Sequence, residues 1–218
     1  KARLRPKRDI AAMIIVDCKT SISGQISQLA YLKLSEGRIT TKNYIFTFAK
    51  PFAESAPLIR QDFLAKEYLI GHDILTSVGL LRSRFYQWPA TPHTYCTMRQ
   101  AINRTGLHDG TLPRLTDLLS ILQIMPAAVD TWTAALYPDV TGAGPHDSRW
   151  TVAAVCCVLF VLAANHPDAL PPELVEIKTY TRARGSHFDP LNPEAYKIEE
   201  FYKARKKKKK RLKALGMT

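Results

Sequence analysis

The chain has 218 residues, enough to bury one good core with room for extensions, and 46% of them are hydrophobic, an ordinary share for a globular domain. Its net charge of +12 is unusual and indicates a polyanionic partner, either a nucleic acid or an anionic membrane surface. No signal peptide is expected, and the apolar run 152–164 is shorter than the about 20 residues that a membrane span needs, so we expect a buried helix there.

The basic residues are concentrated at the two ends of the chain. Residues 1–8 and 197–218 hold 15 of the 31 Lys and Arg residues and two acids, whereas the rest of the chain has 16 basic and 17 acidic residues. A solubilising tail is one explanation, but five consecutive lysines repel one another unless a polyanion is near. We therefore predict nucleic-acid contacts from Arg3, Arg5, Lys7, Arg8, Lys203, Arg205, Lys206, Lys207, Lys208, Lys209, Lys210, Arg211 and Lys213.

The first half of the chain predicts an antiparallel start to a sheet. Residues 11–16 form a continuous apolar run, typical of a central strand covered on both faces. Residues 26–34 and 43–48 alternate apolar and polar side chains, and the segment between them contains Gly37 for a turn. A short helix over 58–66 follows.

The second half predicts alternating strands and helices. The expected elements are a strand over 67–71, a helix near 77–85, a strand over 94–98, a helix over 112–124 with leucines at helical spacing, and a buried helix over 147–164. This order of elements predicts an α/β fold with a mixed five-stranded sheet.

Proline-rich residues 167–172 are predicted to end the domain. Asn192, Pro193 and Glu194 have the form of a helix start, and Gly216 suits a helix end, so a lysine-rich helix is expected over 193–215. The predicted organisation is a basic arm (1–8), a globular domain (9–166) and a basic C-terminal helical extension (167–218).

The four cysteines are Cys18, Cys96, Cys156 and Cys157. They show neither a Cys-x-x-Cys spacing nor a histidine pairing suited to zinc. Buried, reduced thiols are therefore expected, which suits an intracellular reducing compartment.

Three polar segments lie at the ends of predicted apolar elements: the first two follow strands, and the third opens the long apolar helix. The first strand ends in Asp17-Cys18-Lys19-Thr20, residues 71–77 read Gly-His-Asp-Ile-Leu-Thr-Ser, and residues 145–151 read Pro-His-Asp-Ser-Arg-Trp-Thr. In order, spacing and context, over about residues 9–165, these segments resemble the three motifs of the DEDDh (proofreading-type) 3′–5′ exonucleases. That family has Asp-x-Glu-Thr, an Asp after His-Asn-x-x-Phe, and His-x-Ala-x-x-Asp. Asp17 and His146 match the family, whereas Lys19, Ser77 and Thr151 stand where it has its Glu and two further Asp residues.

The resemblance implies a three-layer ribonuclease H-like fold, and the altered residues imply loss of its chemistry. Such nucleases hold two divalent metals with carboxylates. Here Asp17 and Lys19 sum to zero charge, and the hydroxyls of Ser77 and Thr151 are poor substitutes. We expect no metal, no cofactor and no catalytic residue. Asp73 and Asp147 are the nearest carboxylates that could rescue a metal site.

The expected function is that of an inactive exonuclease-like protein that binds RNA as a structural part of a ribonucleoprotein, alongside neighbouring proteins and away from membranes. The basic tail is of the kind that ribosomal proteins carry. The first residue is Lys1 and the start is arginine-rich, which fits the remnant of a transit region and favours a mitochondrial ribosome in the matrix. Two alternatives remain: an active, atypical metal-dependent exonuclease, and a pseudo-nuclease subunit that docks a polymerase or nuclease.

Overall fold

The computed structural model describes residues 12–35, 38–64, 67–85, 88, 93–101, 111–138, 142–175 and 177. The cationic residues predicted at both ends and the helix predicted over 193–215 lie outside these described residues.

The fold is α/β and is built on a five-stranded mixed sheet, as predicted. Neighbouring strands follow the order β3-β2-β1-β4-β5. The pairs β1–β2 and β2–β3 are antiparallel, whereas β1–β4 and β4–β5 are parallel. The strands are β1 (Met13–Thr20), β2 (Ile26–Ser35), β3 (Arg38–Ile45), β4 (Tyr68–Gly71) and β5 (His93–Cys96).

Helices follow the third, fourth and fifth strands. The described helices are α1 (Phe52–Phe63), α2 (Ile74–Arg82), α3 (Leu115–Ile121), α4 (Pro126–Leu136), α5 (Ser148–Asn165) and the short α6 (Pro172–Val175). A π-helical turn, Thr97–Ala101, continues β5, and a 3₁₀ turn, Pro167–Ala169, follows α5.

Two hydrophobic cores lie on opposite faces of the sheet, because successive side chains of a strand point to opposite faces. Met13 and Ile15 of β1 share one core with α3, α4 and α5. Ile14 and Val16 share the other core with α1 and α2. Helices thus cover both faces of the sheet, which is compatible with three layers.

The long helix α5 is a core helix, as predicted from its composition. It is apolar all round, and 15 of its 18 residues are buried. By length and composition alone α5 could cross a membrane, and the bent pair α3–α4 passes the same test together, but 83% of α5 lies inside the protein. The helix starts at Ser148 because the Asp147 carboxylate caps it by accepting a hydrogen bond from the backbone N–H of Arg149.

The bounds of three predicted strands differ from those in the structure. β3 begins at Arg38 and not at residue 43, because its antiparallel ladder with β2 runs from the pair Ser35–Arg38 to the pair Gln28–Ile45. The predicted strand over 94–98 ends at Cys96, where the backbone turns into the π-helical segment. The strand expected over 67–71 is confirmed as Tyr68–Gly71, and β1 continues past the predicted 11–16 to Thr20.

Three helix predictions also need correction. α1 spans Phe52–Phe63 and contains Pro57, whereas the predicted helix over 58–66 began after that proline. α2 begins three residues before the predicted 77–85. The helix predicted over 112–124 is shorter in the structure, where α3 spans Leu115–Ile121. The left-handed backbone of Gln123 (φ 57°) ends that stretch, and Pro126 opens α4, which was not predicted.

The core extends past α5. Ala169, Leu170, Leu174 and Ile177 are buried against it. The four cysteines are free and buried, as predicted.

Candidate functional site

The candidate site lies where the carboxyl end of β1 meets the first turn of α5. Asp17 and Lys19 are two residues apart on β1, so both side chains point to the face that α5 covers. Thr151 lies in the first turn of α5. Asp17 and Thr151 are 6% and 5% exposed, so the site is largely closed to solvent.

Lys19 joins the three side chains. Its Nζ atom lies 2.9 Å from Oδ2 of Asp17 in an ion pair and donates a hydrogen bond of 3.3 Å to Oγ1 of Thr151. Burial raises the pKa of Asp17, and the charge and hydrogen bond of Lys19 only partly oppose that rise. The ammonium group thus neutralises a carboxylate that burial would otherwise leave costly to ionise.

Asp147 is held in place by hydrogen bonds and an ion pair with Arg149 and by a hydrogen bond from Gln28. Its Oδ1 accepts hydrogen bonds from the backbone N–H and Nε of Arg149, both at 2.8 Å, and from Nε2 of Gln28 at 3.0 Å. The Arg149 guanidinium also forms an ion pair with Oδ2 of Asp147. Partial burial works to raise the pKa of Asp147, but the hydrogen bonds from Arg149 and Gln28 lower it below its ordinary value. The carboxylate is charged and already committed to capping α5.

Asp73 is also engaged locally. It precedes α2 with a left-handed backbone (φ 55°), and its Oδ2 accepts a 2.7 Å hydrogen bond from Oγ1 of Thr76. Ser77, the other predicted position on α2, is buried. Burial raises the pKa of the Cys18 thiol, and a hydrogen bond between that thiol and the Ser77 hydroxyl partly opposes the rise. Cys18 points to the α1–α2 face of the sheet, so Ser77 is separated from the Asp17–Lys19–Thr151 cluster.

His146 does not join the cluster. It is exposed, one residue before the cap of α5. His72 is the more constrained histidine: Nδ1 lies 3.1 Å from Oγ1 of Thr97, and Nε2 lies 3.1 Å from the carbonyl oxygen of Pro113. Burial lowers the pKa of His72, which favours the neutral imidazole. Its two contacts tie the end of β4 to the segment after β5.

Gln28 is a site residue that sequence reasoning missed. Its Nε2 donates to Asp147 and, at 3.2 Å, to Oδ1 of Asn43, and its Oε1 accepts from the backbone N–H of Ser148 at 3.1 Å. One amide thus fastens the N-terminus of α5 to β2. The sequence carries no signal for this contact because the partners lie about 120 residues apart. Arg149, two residues from Asp147, could have been predicted as its ion-pair partner.

The predicted positions therefore fall into three places. Asp17, Lys19 and Thr151 are in contact, Ser77 lies across the sheet, and His146 faces solvent. Within the part of the chain that the structure describes, no group of three or more His, Cys, Asp or Glu side chains is arranged to hold a metal ion.

No protein-family model matches this sequence, and no curated protein matches it.

Proposed function

We propose that this protein is a catalytically inactive relative of the DEDDh exonucleases that serves as an RNA-binding structural component of a ribonucleoprotein, in the setting of a mitochondrial ribosome. The observation that carries the first part of this proposal is the Lys19–Asp17 ion pair. The Lys19 ammonium group pairs with Asp17, the one motif carboxylate that the chain retains.

The topology supports a ribonuclease H-like assignment. Three antiparallel strands open the sheet, and β4 and β5 then add in parallel beside β1. This is the mixed five-stranded sheet that the resemblance to the exonucleases implies. The residues that resemble the first and third exonuclease motifs meet at the end of β1 and the start of α5, where a shared site requires them.

The charge at the cluster argues against metal-dependent cleavage. A divalent ion about 4 Å from the Lys19 ammonium would be repelled by on the order of 8 kcal/mol at an effective dielectric constant of 20. The Asp17 carboxylate would have to offset that repulsion while also leaving its ion pair with Lys19. Asp147 is committed to capping α5 by its hydrogen bonds from Arg149, and Asp73 accepts a hydrogen bond from Thr76 within its own helix turn.

RNA binding is assigned to the two basic ends of the chain. The remainder of the sequence has 16 basic and 17 acidic residues and therefore lacks a comparable cationic run. Lysine-rich segments bind phosphates without reading base edges. A structural role along folded RNA needs this kind of binding, and a basic tail that threads into ribosomal RNA supplies it.

Purification of the native particle tests the assignment. An affinity tag on the endogenous protein is expected to recover ribosomal RNA and ribosomal proteins in one sedimenting particle. Recovery of a polymerase or nuclease without RNA would contradict the proposal and favour the pseudo-nuclease docking alternative.

A further inference from the structure

We infer that an aromatic groove in the folded domain binds an unpaired base of single-stranded RNA, an inference that rests on the proposed RNA-binding function. The groove lies between the β1–β2 loop, the β3–α1 connection and the end of α2, with a volume of about 580 Å³. We call it the Phe48 groove. It is defined by Gln25, Ser27, Phe46, Phe48, Phe52 and Arg84.

The aromatic rings of the groove are packed against one another on one side and exposed on the other. Phe46 and Phe52 are half-buried and pack edge to face, with ring centroids 5.2 Å apart. Tyr44 stacks beside Phe46 with centroids 6.0 Å apart and an interplanar angle of 2°. Phe48 is fully exposed, so both faces of its ring are available. Nucleobases stack on such rings regardless of sequence, and ordered rings bind them at low entropic cost.

The polar side of the groove suits an anion. Arg84 is the charged residue among the described lining residues, and no carboxylate lines the groove. Its Nη2 donates to the backbone carbonyl of Gly24 at 3.5 Å, which places the guanidinium at the rim. Gln25 is exposed, and its amide can donate to and accept from a base edge.

This combination selects a nucleotide over a purely apolar ligand. Its volume lies within the about 300–1,000 Å³ of small-ligand sites. A neighbouring cavity of about 430 Å³ shares Phe46, but Lys50 and Glu54 line it together and its charge cancels. Of these two cavities among the described residues, the Phe48 groove is the one that pairs aromatic rings with a cation and has no lining carboxylate. It also lies on the α1–α2 side of the sheet, away from Asp17 and Thr151, so it is separate from the exonuclease-like cluster.

The test compares two fluorescently labelled single-stranded oligoribonucleotides of equal length, one with bases throughout and one abasic at every position. Both carry the same phosphates, so the cationic ends bind them equally. The full chain is expected to bind the base-containing strand about tenfold more tightly, within the about fivefold to 150-fold that stacking of one base gives. Phe48→Ala is expected to abolish this preference. Met125→Ala, a change at another exposed apolar side chain, is expected to preserve it.

Phe48→Leu separates stacking from general apolar contact, because leucine keeps the hydrophobic area and loses the ring. It is expected to lose the preference as Phe48→Ala does. Circular dichroism checks that both variants are folded. Equal binding of the two strands by the intact protein, or a preference that survives Phe48→Ala, overturns the groove and leaves the proposed function standing. Failure to bind either strand overturns both.

Discussion

Replacing Lys19 with methionine is expected to destabilise the fold by about 2 kcal/mol at pH 7. Asp17 is nearly buried and would lose its counter-charge, and breaking a fully buried pair costs about 3–5 kcal/mol. A third of the Lys19 side chain is exposed, so solvent screens the pair and the expected cost falls below that range, to about 2 kcal/mol. For a domain of this size the midpoint of thermal unfolding should fall by about 4–8 °C.

The pH dependence identifies the cause of this loss. The folded-state pKa of Asp17 is raised above its ordinary 3.8, so its contribution to stability is greatest below that pH and declines as the pH rises towards the folded value. Removing Lys19 raises the folded pKa further. The difference in unfolding free energy between Lys19→Met and the wild type should therefore be smallest near pH 4 and largest at pH 7.

Urea unfolding followed by circular dichroism between pH 4 and pH 7 measures both effects. Lys50→Met is the matched control, because Lys50 is exposed and has no ion pair among the described residues. Its stability should stay within about 0.5 kcal/mol of the wild type. The assigned role of the ion pair would be refuted if Lys19→Met were as stable as the wild type at pH 7. It would also be refuted if the loss of unfolding free energy did not change with pH.

Three further outcomes are expected. The purified protein should release no nucleotides from a labelled single strand in Mg²⁺ or Mn²⁺, and a release that vanishes in Asp17→Ala would contradict this. Lys19→Glu combined with Thr151→Asp should bind Mn²⁺ in a calorimetric titration where the wild type does not, because Lys19 contacts both Asp17 and Thr151 and the substitutions would bring three carboxylates to one place. Absence of Mn²⁺ binding by the double variant would contradict this. Gln28→Ala should cost about 1–3 kcal/mol in urea unfolding, because it removes the hydrogen bonds that hold the start of α5. The control, Gln61→Ala on the exposed side of α1, should change little. Equal effects of the two substitutions would be evidence against the contact of Gln28 with the start of α5.

Much of the sheet could be predicted because burial on both faces leaves a direct mark on the sequence. The apolar run of β1 and the alternation in β2 identify strands, and the all-apolar α5 identifies a core helix. The errors occur where tertiary contacts outweigh local signals. Pro57 lies inside α1 although proline usually marks a boundary, and Gln123 breaks the predicted helix by adopting a left-handed backbone that glutamine seldom takes.

The candidate site was predictable only in part for the same reason. Lys19 is two residues from Asp17 on one strand, so strand periodicity alone places the two together. Thr151 joins them as a consequence of how α5 packs on the sheet. Spacing along the chain could not show that Ser77 faces Cys18, nor that Gln28 reaches Asp147.

The most direct test of the central claim is the salt dependence of binding to a structured RNA, compared between the full chain and a chain that ends at Asn192. Counterion release makes the logarithm of affinity fall with the logarithm of salt concentration, by about 0.9 per phosphate neutralised on a duplex and about 0.7 on a single strand. Residues 203–213 hold nine basic side chains, so their removal should flatten the slope by several units and weaken binding similarly for unrelated sequences. Equal affinities and equal slopes for the two chains would contradict an RNA-binding role for the extension.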